Sequence, residues 1–505
     1  MNDRPNILII SASQHRADCL GIAGKRVKTP HLDALTESGT RFANCITPSV
    51  AAQPARASIL TGQLCKTHGV HDDGLDLNTK TGEKGFSGTL SDAGYQSAFF
   101  GRANFANHHP KSPRNKPECS RSSEKYDESW FGPYMGFDHV ELCLTGKHGF
   151  SPQLPPAGQH YERFFHADGQ GAHRMEQYKK DMGPSTGSNT CWHSGLPLSH
   201  HSTPWTANRA IDWLRHTRDQ DAPFCSWVSF PDIQHPYDCP QPWSLMHDPA
   251  HVELPDHRTL DAESLPWWYR SALSREDSNG NSVAGKANTS RQTEQVTDSE
   301  LRHIIANTYG KIAFIDEQIG RLMNELSQQG LLENTHVFYI ADRGDWLGEH
   351  GLTLKGPLFY DCMLRVPMIW SGPNVPENRV NYEPVSTLDL APSVLELAGV
   401  EPQLKQHGES LSPLFDTHNK RDFAMSEWEL LPGRVDATVS LRSVRTRTYK
   451  LTKDMNSSGG ELYDLLADPH EQNNLFEHPN FEAIKIRLES YLKMRTHDYF
   501  VEKAA

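Results

Sequence analysis

Apolar positions along this chain fall into short continuous runs that alternate with longer amphipathic stretches. Residues 6–11, NILIIS, are apolar almost throughout and end in a small residue. That pattern predicts a buried central strand of a parallel or mixed sheet, because a strand covered on both faces loses its polar alternation. Residues 97–100, 224–230, 336–341 and 366–370 predict further strands. Residues 29–40, TPHLDALTESGT, predict a short helix stopped by Gly39. A second helix is expected over 54–60, with Pro54 near its first position. The longest helical pattern covers 299–329. There Leu301, Ile304, Ile305, Tyr309, Ile312, Ile315, Ile319 and Leu322 recur at spacings of three and four, an amphipathic stripe. Gly330 closes it just before a strand. Strands alternating with helices predict a layered α/β domain.

Two stretches break the rhythm. Residues 105–200 are loop-rich, heavy in His, Pro, Gly and Ser, and read as a variable insertion. Residues 274–298 hold almost no apolar side chains and predict a mobile surface insertion. The texture changes after about residue 418. LRSVRTRTYKLTKD alternates like an antiparallel strand, GGELYDLLADPHEQNNL adds a strand and a turn, and an amphipathic helix follows over about 480–494. The expected organisation is an α/β domain over 1–418 and an antiparallel-sheet subdomain over 419–505. No internal repeat is visible.

Charge narrows the function classes. The chain has 505 residues, Lys+Arg is 50, Asp+Glu is 63 and the net charge is −13. A protein that wraps nucleic acid needs a basic face, so no such partner is expected, although a local anion site is compatible with this balance. No apolar run approaches the roughly 18 residues of a membrane span, and the start MNDRPNILIIS lacks the basic, long apolar signature of a leader. The nine cysteines are scattered singly with no CxxC spacing, which argues against a disulfide framework or structural zinc. A reducing cytoplasm is the expectation from these features, and a second copy of the chain is a candidate partner.

The order of motifs carries more. PNILIISASQHRADCLG, TPHLDALTESGTRFANCITPS, QPARASILTGQ, VFYIADRGDWLGEHGL with Lys355 after it, RVPMIWSGP and ELYDLLADPHEQNN follow one another over nearly the whole chain. This order resembles the sulfatase family of the alkaline phosphatase superfamily, and in particular its Asp-Gln branch. The resemblance implies a large mixed-sheet α/β sandwich with a smaller C-terminal α+β domain. It also implies a site chemistry. Carboxylate-type ligands after the first strand, with Asp and Asn or His after a later strand, hold one divalent cation. A Cys or Ser in C/S-x-P-x-R, at a helix N-terminus, matures to a formylglycine. A Lys-x-His pair, another His and another Lys clamp the sulfate and protonate the leaving group.

Carried over residue by residue, the resemblance finds this chemistry dismantled. Ser13 stands where the first metal Asp belongs, followed by an acceptable Gln14. Ala52 stands at the nucleophile, in Ala52-Gln53-Pro54-Ala55-Arg56, and has no atom to oxidise or attack with. Arg56 is kept. Arg102 and Asn104 replace the Lys-x-His pair, so a cation survives and a proton donor is lost. His235, Asp342 and Lys355 are kept, and Arg343 replaces the Asn or His beside Asp342. A guanidinium is permanently charged, so Arg343 is expected to take the cation's place and pair with Asp342; the alternative is that it turns to solvent. Metal and other cofactors are therefore not expected.

Plainer readings stand beside these. Arg56 either binds an anion or pairs with a carboxylate to hold a turn. His235 is either an acid–base group or a satisfied loop histidine. His200 and His201 read as loop packing, His148 and His160 as insertion residues that line a pocket or face solvent, and Asp345 and His350 as structural. Three functions remain open. The first is an enzyme of altered chemistry, a hydrolase or lyase acting on a sulfated, carboxylated or sugar-acid substrate. In it His235 and Lys355 would be catalytic, and Arg56, Arg102, Asn104, Asp342 and Arg343 would bind substrate. The second is a non-catalytic member that binds an anion or a partner. The third is a conventional sulfuric-ester or phosphonate-ester hydrolase rescued by Ser13 or a shifted cysteine, although Cys45 and Cys65 lie outside the motif frame.

Overall fold

The computed structural model describes residues 4–108, 115–119, 122, 125–144, 159–258, 266–269, 290–292, 296–354, 358–430 and 439–495. Eight strands form the central sheet: β1 (Asn6–Ser13), β2 (Gly39–Phe42), β3 (Gln96–Gly101), β4 (His139–Leu142), β5 (Phe224–Ile233), β6 (Thr335–Ala341), β7 (Met368–Ser371) and β8 (Arg379–Asn381). Their order is β8-β2-β7-β6-β1-β5-β3-β4. Only β7 runs against the others, so the sheet is mixed, as the pattern of apolar runs implied. β1 lies between parallel β6 and β5 and is buried along its whole length.

Both faces of β1 are covered. Ile7 and Ile9 point into a core shared with α2 (Ala52–Thr61), α3 (Phe86–Asp92) and α6 (Leu390–Ala398). Leu8 and Ile10 point the other way, into a core built by α1 (Pro30–Glu37), α4 (Ser202–Asp212) and α5 (Asp298–Gln328). Alternate side chains of one strand thus feed two separate cores, which explains why β1 reads as a continuous apolar run. α5 begins with a capping box: Thr297 Oγ1 accepts from the Glu300 N–H at 3.2 Å, and the Thr297 N–H donates to Glu300 Oε2 at 2.7 Å. Thr and Glu at that spacing, just before the apolar stripe, set the helix start.

Three expectations are refined or corrected. The loop-rich insertion over 105–200 also carries regular elements that its composition did not announce: β4, helices at His160–His166 and Gly171–Lys179, and a strand at Cys191–Ser194. β4 is a four-residue edge strand (HVEL) whose two apolar residues, Val140 and Leu142, are too few to leave a pattern in the sequence. The stretch LRSVRTRTYKLTKD is not one strand. It is a hairpin of Val439–Arg445 and Tyr449–Asp454. In the segment 274–298, Ser290–Gln292 pairs with Leu352–Leu354 and Asp298 opens α5, while 274–289 and 293–295 lie outside the described residues. The C-terminal sheet has four antiparallel strands, Ala424–Leu430, Val439–Arg445, Tyr449–Asp454 and Gly460–Asp464, and a helix α7 at Glu482–Lys493 packs against it. No helix among the described residues is long and apolar enough to cross a membrane.

Candidate active site

The parallel strands β1, β3, β5 and β6 all end at the same edge of the sheet. Register places Ala12 beside Ala341 and Ser13 beside Ile233. The residues that follow, Ser13–Gln14, Arg102–Asn104, His235 and Asp342–Arg343, are thereby gathered at the carboxyl edge, where open α/β sheets bind ligands. Arg102 is tied to β5 by its N–H donating to the Ser229 carbonyl at 3.0 Å. α2 then brings Arg56 in from one face.

Asp342 is the hub. Ser13 Oγ donates to its Oδ2 at 3.0 Å, the Gln14 N–H to its Oδ1 at 2.9 Å, and Arg56 Nε to its Oδ2 at 3.0 Å. Burial alone would raise this carboxyl; the Arg56 and Arg343 guanidiniums, with the Gln14 N–H, outweigh it and hold the group below the ordinary carboxylate range. The expected Asp342–Arg343 pair is corrected here: Arg56 forms the ion pair. Arg343 is nevertheless 1 % exposed, so it does not turn to solvent. Its Nη2 donates to Gln14 Oε1 at 3.2 Å. Gln14 in turn donates through Nε2 to Asp345.

Cationic donors outnumber acceptors in this cluster. Arg56 Nη1 reaches the Arg102 carbonyl and, at 2.6 Å, Ser229 Oγ, but Arg56 Nη2 has no acceptor among the described residues. The same holds for Nε and Nη1 of Arg102 and for Nε and Nη1 of Arg343. Burial, then the charges of Arg56 and Arg343, bring Arg102 down to about 10. Ser229 and Gln14, which organise this cluster, were not singled out for that role from sequence. Ser229 is an ordinary serine inside a strand and carries no signal, whereas a polar residue directly after the central strand, like Gln14, is one.

The donor set at this edge does not match the family's divalent cation. Asp342 spends both oxygens on protein donors, Ser13 offers a hydroxyl already donating to it, and the Gln14 carbonyl faces a guanidinium. Asp342 under two guanidiniums, with Asp345 held by the Gln14 amide and raised by burial to about 8, does not fit a divalent ion. Among the described residues no other group of His, Cys, Asp or Glu has metal-binding geometry either.

The remaining candidates divide as follows. Ala52 begins α2 and is buried, as is Asn104, which adopts the left-handed backbone conformation that Asn tolerates. The N-terminus of α2 is already engaged: the Gln53 N–H donates to Asp73 Oδ1 at 3.0 Å. A protein carboxylate thus sits at the positive end of this helix. His235 follows β5 by two residues and is half-buried. Its loop is held by Lys311 of α5, whose Nζ donates to the carbonyls of Gln234 and Pro236 at 2.8 and 2.9 Å and pairs with Asp232 at 3.1 Å. His200 stacks on Phe164, and His201 meets the Leu196 carbonyl at 3.2 Å, so both pack loops. His160 bonds the Leu142 N–H and the Trp130 carbonyl, and His350 stacks on Tyr360. Burial pushes the Cys65 thiol up to about 12 and also holds Cys45 well above its ordinary value, so neither is a ready thiolate. Asp345, read from sequence as structural, is fully buried beside Arg343, and burial pushes it up to about 8. Lys355 and His148 lie outside the described residues.

This fold and site geometry define a sulfatase-type α/β protein. A family model described as Sulfatase matches residues 5–400, and one described as N-sulphoglucosamine sulphohydrolase, C-terminal, matches residues 348–498. The chain belongs to the sulfatase family. It is 28% identical over 499 residues to an arylsulfatase of Clostridium perfringens, covering 97% of this chain and 93% of the relative. It is 24% identical over 510 residues to a choline-sulfatase of Rhizobium meliloti, covering 99% and 88%. The crystal structure of the phosphonate monoester hydrolase of Agrobacterium radiobacter superposes with a TM-score of 0.79 at 23% identity, covering 97% of this chain and 95% of that one.

Proposed function

We propose that this chain binds a small anionic substrate, a sulfated, carboxylated or sugar-acid compound, in a metal-free site, and acts on it without formylglycine. One observation carries the reading: five guanidinium nitrogens of Arg56, Arg102 and Arg343 are buried without acceptors among the described residues. Each unmatched buried donor costs about 1–3 kcal/mol. An anion held among the three side chains would recover that cost through charge-assisted hydrogen bonds. Ala52 removes the covalent route, so proton transfer from or to the substrate falls to His235, at the same edge of the sheet. The reaction is then hydrolysis by directly activated water or an elimination, and the products distinguish them.

Calorimetric titration with inorganic sulfate and with sugar acids, in buffer containing a chelator, tests the site. Binding should persist without metal. Arg343→Ala should weaken it by about 1.5–3 kcal/mol, roughly ten- to a hundred-fold. Equal affinity in wild type and in both Arg56→Ala and Arg343→Ala, with the fold intact, would rule the reading out.

A further inference from the structure

We propose that Gln14 is a positioning residue that aims the Arg343 guanidinium at the anionic ligand; this deepens, and rests on, the anion-site reading. The side-chain amide can be oriented in only one way. A guanidinium has no acceptor, so the atom facing Arg343 Nη2 at 3.2 Å must be the Gln14 carbonyl oxygen. The amide nitrogen then faces Asp345 Oδ1 and donates to it. The backbone fixes the base of this lever, since Gln14 has φ 71° and its N–H donates to Asp342 at 2.9 Å.

Among the described residues, Gln14 Oε1 is the one hydrogen-bond acceptor that the Arg343 side chain meets. The kind of acceptor matters. Arg56 is paired with a carboxylate, which cancels much of its charge locally. Arg343 is held by a neutral carbonyl, which orients it and leaves its charge for a ligand. The amide thus links Arg343 to Asp345 and holds the cation by a single bond, with Nε and Nη1 left over for the anion.

The test is a double-mutant cycle read by calorimetric titration of inorganic sulfate, with thermal melts as control. Gln14→Leu should weaken sulfate binding by about ten-fold, the scale of one lost charge-assisted contact. Because Leu is strained at positive φ, Gln14→Asn is the second variant. Asn suits that backbone but is too short to reach Arg343 and Asp345 together, so it should lose affinity in the same way. The pair Gln14→Leu with Arg343→Ala should bind no more weakly than Arg343→Ala alone, an outcome that general loosening of the fold would not produce. Wild-type affinity in the Gln14 variants, or losses that add in the double variant, would overturn the proposal. If Arg343→Ala itself binds sulfate as wild type does, the anion-site reading beneath it fails instead.

Discussion

Arg56 and Arg343 carry the same charge and both act electrostatically on the same carboxylate, yet only Arg56 bonds to it. The difference decides what each can do. Arg56 bonds Asp342 directly, while Arg343 acts on that carboxylate only through its charge and bonds to Gln14. Under the proposed function Ala52 closes the covalent route, because a methyl group supplies neither a formylglycine nor a nucleophile. The proposed function therefore predicts that Ala52→Cys yields no working sulfatase, even with the maturation machinery and calcium supplied, since Arg343 and Asn104 stand where the family resemblance puts a metal ligand and a proton donor. Robust turnover of an aryl sulfate by that variant would contradict this. Asp345 gives a pH prediction. A carboxyl raised from 3.8 to about 8 keeps, in the folded chain, a proton that the unfolded chain has lost. Its contribution to stability therefore falls as pH rises through that window. Asp342, held low, adds no slope there. Asp345→Asn removes the titration, so its stability relative to wild type should increase between about pH 5 and pH 8. Denaturant unfolding at the two pH values measures this, and a constant difference would refute it.

Among the elements, α5 does more than cover the sheet. Its apolar stripe seals one core, and Lys311, 1 % exposed, reaches across to the turn that carries His235. That side chain also compensates Asp232 at 3.1 Å and Asp238 at 3.5 Å. Removing one partner from a buried charge cluster costs on the order of 3 kcal/mol, because the opposite charges stay buried. Lys311→Met should lower unfolding free energy by about that much. An unchanged midpoint in urea would show that the turn is held by something else.

Across the whole molecule, the C-terminal sheet is welded to the α/β domain. One apolar cluster joins Ile46, Val50, Trp346 and Tyr360 to Trp428, Leu441 and Tyr463. Ser426 Oγ donates to the Thr47 carbonyl at 2.6 Å and the Glu427 N–H to the Pro48 carbonyl at 2.8 Å, on the segment that leads into α2. Arg445 pairs with Asp361 at 2.9 Å, both largely buried. Parts that share a core should not melt separately. Differential calorimetry should show one cooperative transition; two resolved transitions would mean that the shared cluster contributes little.

The apolar runs alone determined the layered α/β class, the central strand β1 and the long helix α5, because burial on two faces or along one stripe leaves a periodic trace in the sequence. The motif order likewise marked Ser13, Ala52, Arg102, Asn104 and Arg343 as departures, since each is a change of residue type at a numbered position. The edge strand β4 was invisible, being only four residues long and stabilised by its neighbour's backbone. Partner choice was invisible too. Residue types allowed Asp342 to pair with either arginine; only the convergence of α2 with the ends of β1 and β6 gave it to Arg56 and left Arg343 to Gln14. Hydrogen bonds act over a few ångströms, and which donors come that close to Asp342 is decided by strand register and helix packing, quantities that a one-dimensional pattern does not contain.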